Sequence, residues 1–298
     1  LDFDVDVCRP EGAAQGLALC LHGFPEHSFS WRHQLPMLAD LGYEAWAPNL
    51  RGYGTSSRPE SLAAYAIEDL LEDVAGLIDA AGFDKTVLIA HDWGAIIAWY
   101  FAMRRLRPLE KLIICNVPHP GAMGKQGLSW EQLKRSWYVF FFQLPGLPER
   151  LFGREGAAGI GDMFRSTSCN PEEFPPEVTD VYVRNAAQPG ALTAMINYYR
   201  ALVRGGGGRR QQQQGFPLIE VPTLMVWGEE DVALTKETTY GTEAFVSNLT
   251  IRYLPRVSHW VQQDAPETVN AMMQAFLSGE PVPELRWEAV LKPPQEAG

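Results

Sequence analysis

A chain of 298 residues, 46% apolar and 20% charged, is long enough to bury the core of one large domain, or of one domain carrying an insertion. Its formal charge of −11 argues against nucleic acid or an anionic membrane as partner, and its longest apolar stretch is too interrupted to span a bilayer. The four cysteines (Cys8, Cys20, Cys115, Cys169) form no CxxC pair, and Cys20 and Cys115 lie inside apolar runs as small hydrophobes, so nothing calls for an oxidising compartment.

The first residues, "LDFDVDVCRP", are acidic and alternating, unlike a signal peptide, and a soluble cytoplasmic protein is expected. Four short apolar runs ending in polar or turn residues then read as buried strands: "GLALCLHG" (Gly16–Gly23), "GYEAWAPN" (Gly42–Asn49), "KTVLIAHD" (Lys85–Asp92) and "KLIICNVP" (Lys111–Pro118). Between the second and third, Ile67, Leu70, Leu71, Val74, Leu77 and Ile78 fall at helical spacing, with Gly82 at the C-cap region. Such alternation implies a mostly parallel sheet with helices on both faces. After Pro118 the pattern changes. From Gly121 to Pro217 no buried strand is evident, only aromatic-rich helical stretches such as "SWEQLKRSWYVFFFQLPG" and "PGALTAMINYYRALVRG". "GGGGRRQQQQG" (Gly205–Gly215) reads as a loop too polar and glycine-rich to pack. Alternation resumes with "PTLMVWGEED", a helical stretch, "LTIRYLPRVSH", and a final helix near Pro266–Ser278. The expected division is an α/β core in two parts (1–120 and 218–279), a helical cap (121–217) and a proline-rich surface tail (280–298).

One stretch, "LIAHDWGAIIAWY" (Leu88–Tyr100), puts a carboxylate at the exit of a buried strand, where burial is costly. Small residues two positions either side, Ala90 and Gly94, make the nucleophile-elbow pattern around Asp92, and the following helix aims its N-terminal amides at that neighbourhood. An aspartate that only N-caps the helix would look the same. Such an elbow requires an acid and then a histidine, each after a later strand; Asp231 and His259 stand in that order. Glu229 and Glu230 are rivals for the acid. His27 and His33 read as satisfied surface histidines; His22, His91 and His119, near strand ends, read as supporting or packing residues. An oxyanion hole needs two converging backbone N–H groups: Trp93, after the nucleophile, supplies one, and Phe24 in "HGFPE" (His22–Glu26) supplies the other.

With these sites in place, the chain resembles the α/β-hydrolase fold and, within it, the soluble epoxide hydrolases. "LHGFPEHSFSWRHQLP", "LRGYGTSSRP", "AHDWGA", "NVPHP", "WGEED" and "SHW" occur in family order over almost the whole chain. Asn49 departs from the aspartate common in the family, at a position that is structural. "HDWG" also resembles the dehalogenases that share an aspartate nucleophile; what separates the two is a pair of cap tyrosines that donate to the epoxide oxygen. The resemblance places them at Tyr138 in "SWYVFFFQLPG" and at Tyr199, rather than Tyr198, in "NYYR", although either residue would also pass for a core aromatic. It implies an aspartyl ester on Asp92, hydrolysed by a water that His259, oriented by Asp231, activates. No cofactor or metal is implied. Phe24, Trp93, Phe141 and Trp260 are expected to form an apolar pocket for a small hydrophobic epoxide, and a homodimer is compatible with the family. The competing readings are a dehalogenase and a catalytically silent binding member of the fold.

Overall fold

The computed structural model describes residues 1–126 and 129–285. In chain order its strands and helices are β1 (Val5–Cys8), β2 (Leu17–Leu21), α1 (Gln34–Asp40), β3 (Glu44–Pro48), α2 (Ile67–Ala81), β4 (Thr86–His91), α3 (Trp93–Arg104) and β5 (Lys111–Cys115). There follow α4 (Pro120–Gln126), α5 (Trp130–Arg135), α6 (Trp137–Phe141), α7 (Leu147–Phe152), α8 (Ala158–Thr167), α9 (Pro176–Ala186), α10 (Ala191–Arg204) and α11 (Gly207–Gln214). The chain closes with β6 (Thr223–Gly228), β7 (Leu249–Leu254), α12 (Val261–Asp264) and α13 (Pro266–Ser278).

The strands form one sheet in the order β1-β3-β2-β4-β5-β6-β7, parallel throughout except for β1, which pairs antiparallel with β3. Alternation along each strand feeds two cores. Leu17, Leu19 and Leu21 of β2, with Leu88 and Ala90 of β4, pack on the face covered by α2 and α3. Ala18, Cys20, Val87 and Ile89 pack on the other, under α1 and α13. The expected mostly parallel sheet, covered on both faces, is what forms. Between β5 and β6 the described residues hold helices and no strand. No described helix is long and apolar enough to cross a membrane.

Several expectations need correction. The alternating "VDVC", to which the sequence reading gives no element, is a strand on the sheet edge, where Asp6 stays exposed. The Gly205–Gly215 segment is not a loop too polar to pack: it contains α11, in which Gly207 and Gln211 are buried. Glutamine and arginine are good helix formers; Arg210 pairs with Glu68 at 2.8 Å, and Gln211 Nε2 donates to Gly215 O at 2.7 Å. The helical stretch between β6 and β7 is two short 3-10 turns, Lys236–Thr239 and Thr242–Ala244. Its threonine hydroxyls bond back to carbonyls three residues earlier, as Thr239 does to Lys236 at 2.7 Å, which competes with regular helix. His27 and His33 are half-buried rather than surface residues: His27 Nδ1 accepts from Phe29 N, and burial with the Arg32 charge lowers His33 to about 4. Of the expected tail, residues 280–285 are described. Val282 is buried and its carbonyl accepts from Arg252, so this part packs against β7; residues 286–298 lie outside the described range.

The register gathers one set of loops. Leu21 of β2 lies beside Ala90 of β4, His91 beside Cys115 of β5, and Gly228 of β6 beside Leu254 of β7. The residues after β2, β4, β5, β6 and β7 therefore emerge at the same carboxyl edge, where open α/β sheets form their sites.

The crossing of β2 and α3 is tight: a Cβ on Gly94 would stand 2.3 Å from the carbonyl oxygen of Leu21. Gly94→Ala is expected to destabilise the protein by about 1–3 kcal/mol or more through overpacking. Gly76→Ala, in α2 where a Cβ meets nothing within 4 Å, should stabilise by about 0.5–1 kcal/mol. Denaturant midpoints of the two variants check both signs; equal midpoints would contradict the packing argument.

Candidate functional site

Asp92 occupies the turn between β4 and α3 with φ 46° and ψ −118°, a conformation that costs a non-glycine residue about 1–3 kcal/mol. Its side chain caps no amide of α3. Instead Oδ1 accepts from Phe24 N at 2.7 Å. That approach requires Gly23, where a Cβ would lie 2.3 Å from the Asp92 side chain. The half-buried carboxylate is thus aimed across the sheet edge, not along the helix.

The loop carrying Phe24 is held from beneath. Glu26, fully buried, accepts from Gly23 N at 2.7 Å, from Gln262 and Gln263 Nε2 at 2.9 Å each, and from His91 Nδ1 at 2.7 Å. His91 Nε2 meets the carbonyl of His259 at 2.8 Å. One buried carboxylate therefore ties the Phe24 loop, β4 and the His259 backbone together. His22 joins the same framework, its Nδ1 donating to Gly23 O (2.9 Å) and its Nε2 accepting from Leu50 N (3.0 Å), and burial lowers it to about 4. His119 is a packing residue, stacked on Phe245.

Asp231 is buried, and both its oxygens are satisfied. Oδ1 accepts from Ala233 N and Leu234 N at 2.7 and 2.9 Å; Oδ2 accepts from Asn116 Nδ2 and from His259 Nδ1, each at 2.7 Å. Burial alone would raise its pKa; the charge and hydrogen bond of His259, with the Asn116 amide, hold it below the usual carboxylate range. The rival acids are occupied elsewhere: Glu229 pairs with Lys236 and Glu230 is exposed.

His259 Nε2 lies 3.5 Å from Asp92 Oδ2, so the imidazole bridges two carboxylates. Burial disfavours the imidazolium, but Asp231 and Asp92 outweigh burial and raise the pKa well above that of ordinary histidine. Both neighbouring carboxylates thus favour the imidazolium over neutral imidazole.

Above them, Tyr138 on α6 and Tyr199 on α10 stand with ring centroids 5.8 Å apart and planes at 86°. Burial, then the Asp92 charge, raises both phenols and keeps them as O–H donors. Tyr198 turns away, donating to Arg51 O at 2.8 Å. Asp92, His259, Tyr138 and Tyr199 line one cavity of about 910 Å³ including its opening, walled largely by apolar side chains. Of the expected pocket residues, Phe24 and Trp260 line it, whereas Trp93 and Phe141 do not. Trp93 is buried behind the wall, 5.0 Å from the Tyr199 ring, and Phe142 takes the place expected for Phe141. The sequence pattern assigns no side-chain role to Glu26, Asn116, Arg135 or Phe152. Glu26 and Asn116 follow β2 and β5 at the carboxyl edge, and that position was the available signal.

The family described as the alpha/beta hydrolase fold matches residues 18–266. The chain is 37% identical to the AB hydrolase superfamily protein YfhM of Bacillus subtilis, over 89% of this chain and 91% of that protein. It is 37% identical to epoxide hydrolase 4 of Mus musculus, over 89% of this chain and 73% of that protein. Among solved structures, the epoxide hydrolase of Bacillus megaterium in complex with an inhibitor superposes with a TM-score of 0.81 at 29% identity, covering 93% of this chain and 96% of that one.

Because Asp92 is one of the two charges that hold the proton on His259, Asp92→Asn should lower the His259 pKa. Titration of nitrogen-15-labelled histidine by NMR reads this directly. An unchanged pKa would show that Asp231 alone holds the proton.

Proposed function

Since the chain belongs to the α/β-hydrolase fold family and, within it, to the epoxide hydrolases, we propose that it opens a hydrophobic epoxide to a vicinal diol through an ester on Asp92. The observation that carries this reading is the meeting of Asp92, His259, Tyr138 and Tyr199 in one largely apolar cavity. The insertion from α4 to α11 acts as a cap: it supplies both phenols, while the sheet edge supplies the other groups.

The steps follow from the contacts. Phe24 N–H holds Oδ1 of Asp92, which leaves Oδ2 to attack a ring carbon. As the C–O bond breaks, the departing oxygen takes a proton from one phenol and a hydrogen bond from the other. The tyrosinate recovers its proton from the His259 imidazolium. Esterification also removes the Asp92 charge that had favoured that imidazolium, so His259 becomes a base only after the ester exists. It then takes a proton from water as the water oxygen adds to Cγ of Asp92. Negative charge collects on Oδ1, where Phe24 N–H already donates; the amide of Trp93, the first residue of α3, is the second donor this reading calls for. Collapse breaks the bond from Cγ to the substrate oxygen, which takes the proton from His259; the hydroxyl left on Cγ then passes its proton to His259, which restores the Asp92 carboxylate and the imidazolium.

Asp231 orients His259 through Nδ1 and supports its charge. The cavity walls, Phe24, Phe142, Phe152 and Trp260 among them, suit an apolar organic substrate. A dehalogenase releases halide and has no alkoxide to protonate; two phenols in the cavity of Asp92 favour the epoxide over it.

Tyr138→Phe and Tyr199→Phe are each expected to slow ester formation by about tenfold, since one donor remains. The double variant should lose about 10²–10⁴-fold, because the alkoxide then leaves unassisted. Single-turnover kinetics with an aryl epoxide measure these rates. Near wild-type ester formation by the double variant would overturn the assignment of the phenols.

A further inference from the structure

The two phenols ride on different helices, and neither helix alone sets the distance between them. α6 spans only Trp137–Phe141, barely more than one turn and too short to hold its shape unaided. The carbonyls of the turn that follows it, at Phe142, Gln143 and Leu144, are taken up by α10. Arg200 Nε donates to Phe142 O at 3.0 Å and Arg200 Nη2 to Leu144 O at 2.8 Å, while the Arg204 guanidinium donates to Gln143 O. A return contact closes the pair: Gln143 Nε2 donates to Tyr199 O at 3.2 Å and to Val139 O at 3.1 Å.

Arg200 is itself pinned. It is 7% exposed, and its guanidinium forks onto Glu149 of α7 at 2.6 and 3.1 Å. It directly follows Tyr199 in the chain, and the Phe142 it grips donates its own N–H to Tyr138 O at 2.8 Å. A continuous run of hydrogen bonds therefore leads from the backbone beside one phenol to the backbone of the other. We infer that Arg200 is a positioning residue for ring opening: held by Glu149, it latches the end of α6 to α10 and so sets the spacing of the Tyr138 and Tyr199 hydroxyls. The inference rests on the reading that these phenols assist the leaving oxygen. A planar guanidinium meets two carbonyls and a carboxylate at once, whereas an ammonium is a point charge on a flexible stem. Arg200→Lys should therefore retain the charge and lose the geometry.

The test separates the two half-reactions. Stopped-flow tryptophan fluorescence with styrene oxide, enzyme in excess, follows ester formation and then its hydrolysis. Arg200→Lys is expected to slow ester formation by about tenfold, since a misplacement near 1 Å costs up to about 10²-fold, and to leave ester hydrolysis at the wild-type rate. Glu149→Gln, which keeps the arginine but loosens its fork, should act in the same direction more weakly. It decides the matter alone if Arg200→Lys does not fold. In a Tyr138→Phe background, Arg200→Lys should add little further slowing, because the spacing it sets no longer matters. Unchanged ester formation in both variants overturns the inference. So does equal slowing of both half-reactions, which marks a general structural role, or fully additive slowing in the Tyr138→Phe background. If the double Tyr→Phe variant forms ester at the wild-type rate, the phenol reading itself fails, and the Arg200 inference with it; slow Tyr→Phe variants beside a normal Arg200→Lys would overturn the Arg200 inference alone.

Discussion

The hydrogen bond from Phe24 N to Asp92 Oδ1, 2.7 Å long, is the contact around which the site is arranged. It exists because a non-glycine residue is held at φ 46° between β4 and α3, and because Gly23 has no Cβ to keep the carboxylate away. Strain of this kind persists only where the surroundings over-determine it. Here they do: β2 and β4 run in register, Gly94 lets α3 lie against the end of β2, and the buried Glu26 grips both Gly23 N and His91. The carboxylate is oriented by the protein alone, and in the proposed mechanism its second oxygen is the one left to react.

Charge then orders the steps. His259 stands between Asp231 and Asp92, and both favour its proton. Only one of these charges would change during turnover. Esterification of Asp92 would leave Asp231 to orient the ring while weakening the hold on the proton, so in the proposed mechanism one imidazole serves first as acid and later as base. The phenols answer to the opposite demand: burial and the nearby Asp92 charge keep them protonated, which suits donors to a leaving oxygen. Groups with pKa values pushed in different directions thus share one cavity.

Much of the framework was legible in the residues because burial leaves a periodic trace. The inner strands β2 to β6, and β7 at the far edge, are continuous or alternating apolar runs, and α2 and α13 show helical spacing with clear ends. β1 was harder to read, since an edge strand keeps acidic residues in solvent and buries little. α11 was hidden by composition: its stability comes from Glu68 and from the buried Gln211 amide, contacts distant in sequence or invisible to hydropathy. The pocket shows a similar limit. In "WYVFFF" almost every position is apolar, so periodicity does not tell which phenylalanine faces inward, and the structure turns Phe142 rather than Phe141 to the cavity. Motif order brought Asp92, Asp231 and His259 to notice, but not why Asp231 and neither neighbouring glutamate reaches the histidine. That choice lies in the turn after β6, where the amides of Ala233 and Leu234 and the side chain of Asn116 converge on one carboxylate.

The central claim is that Asp92 itself bonds to the substrate. A single turnover with enzyme in excess in oxygen-18 water tests it most directly, by mass analysis of the diol and of the peptide that contains Asp92. Attack by Asp92 predicts an unlabelled first diol and a labelled Asp92 peptide, since the water oxygen adds to the carboxyl carbon and stays there. Label found mainly in the first diol, with the peptide unlabelled, would contradict the account and make Asp92 a general base for direct attack of water on the ring.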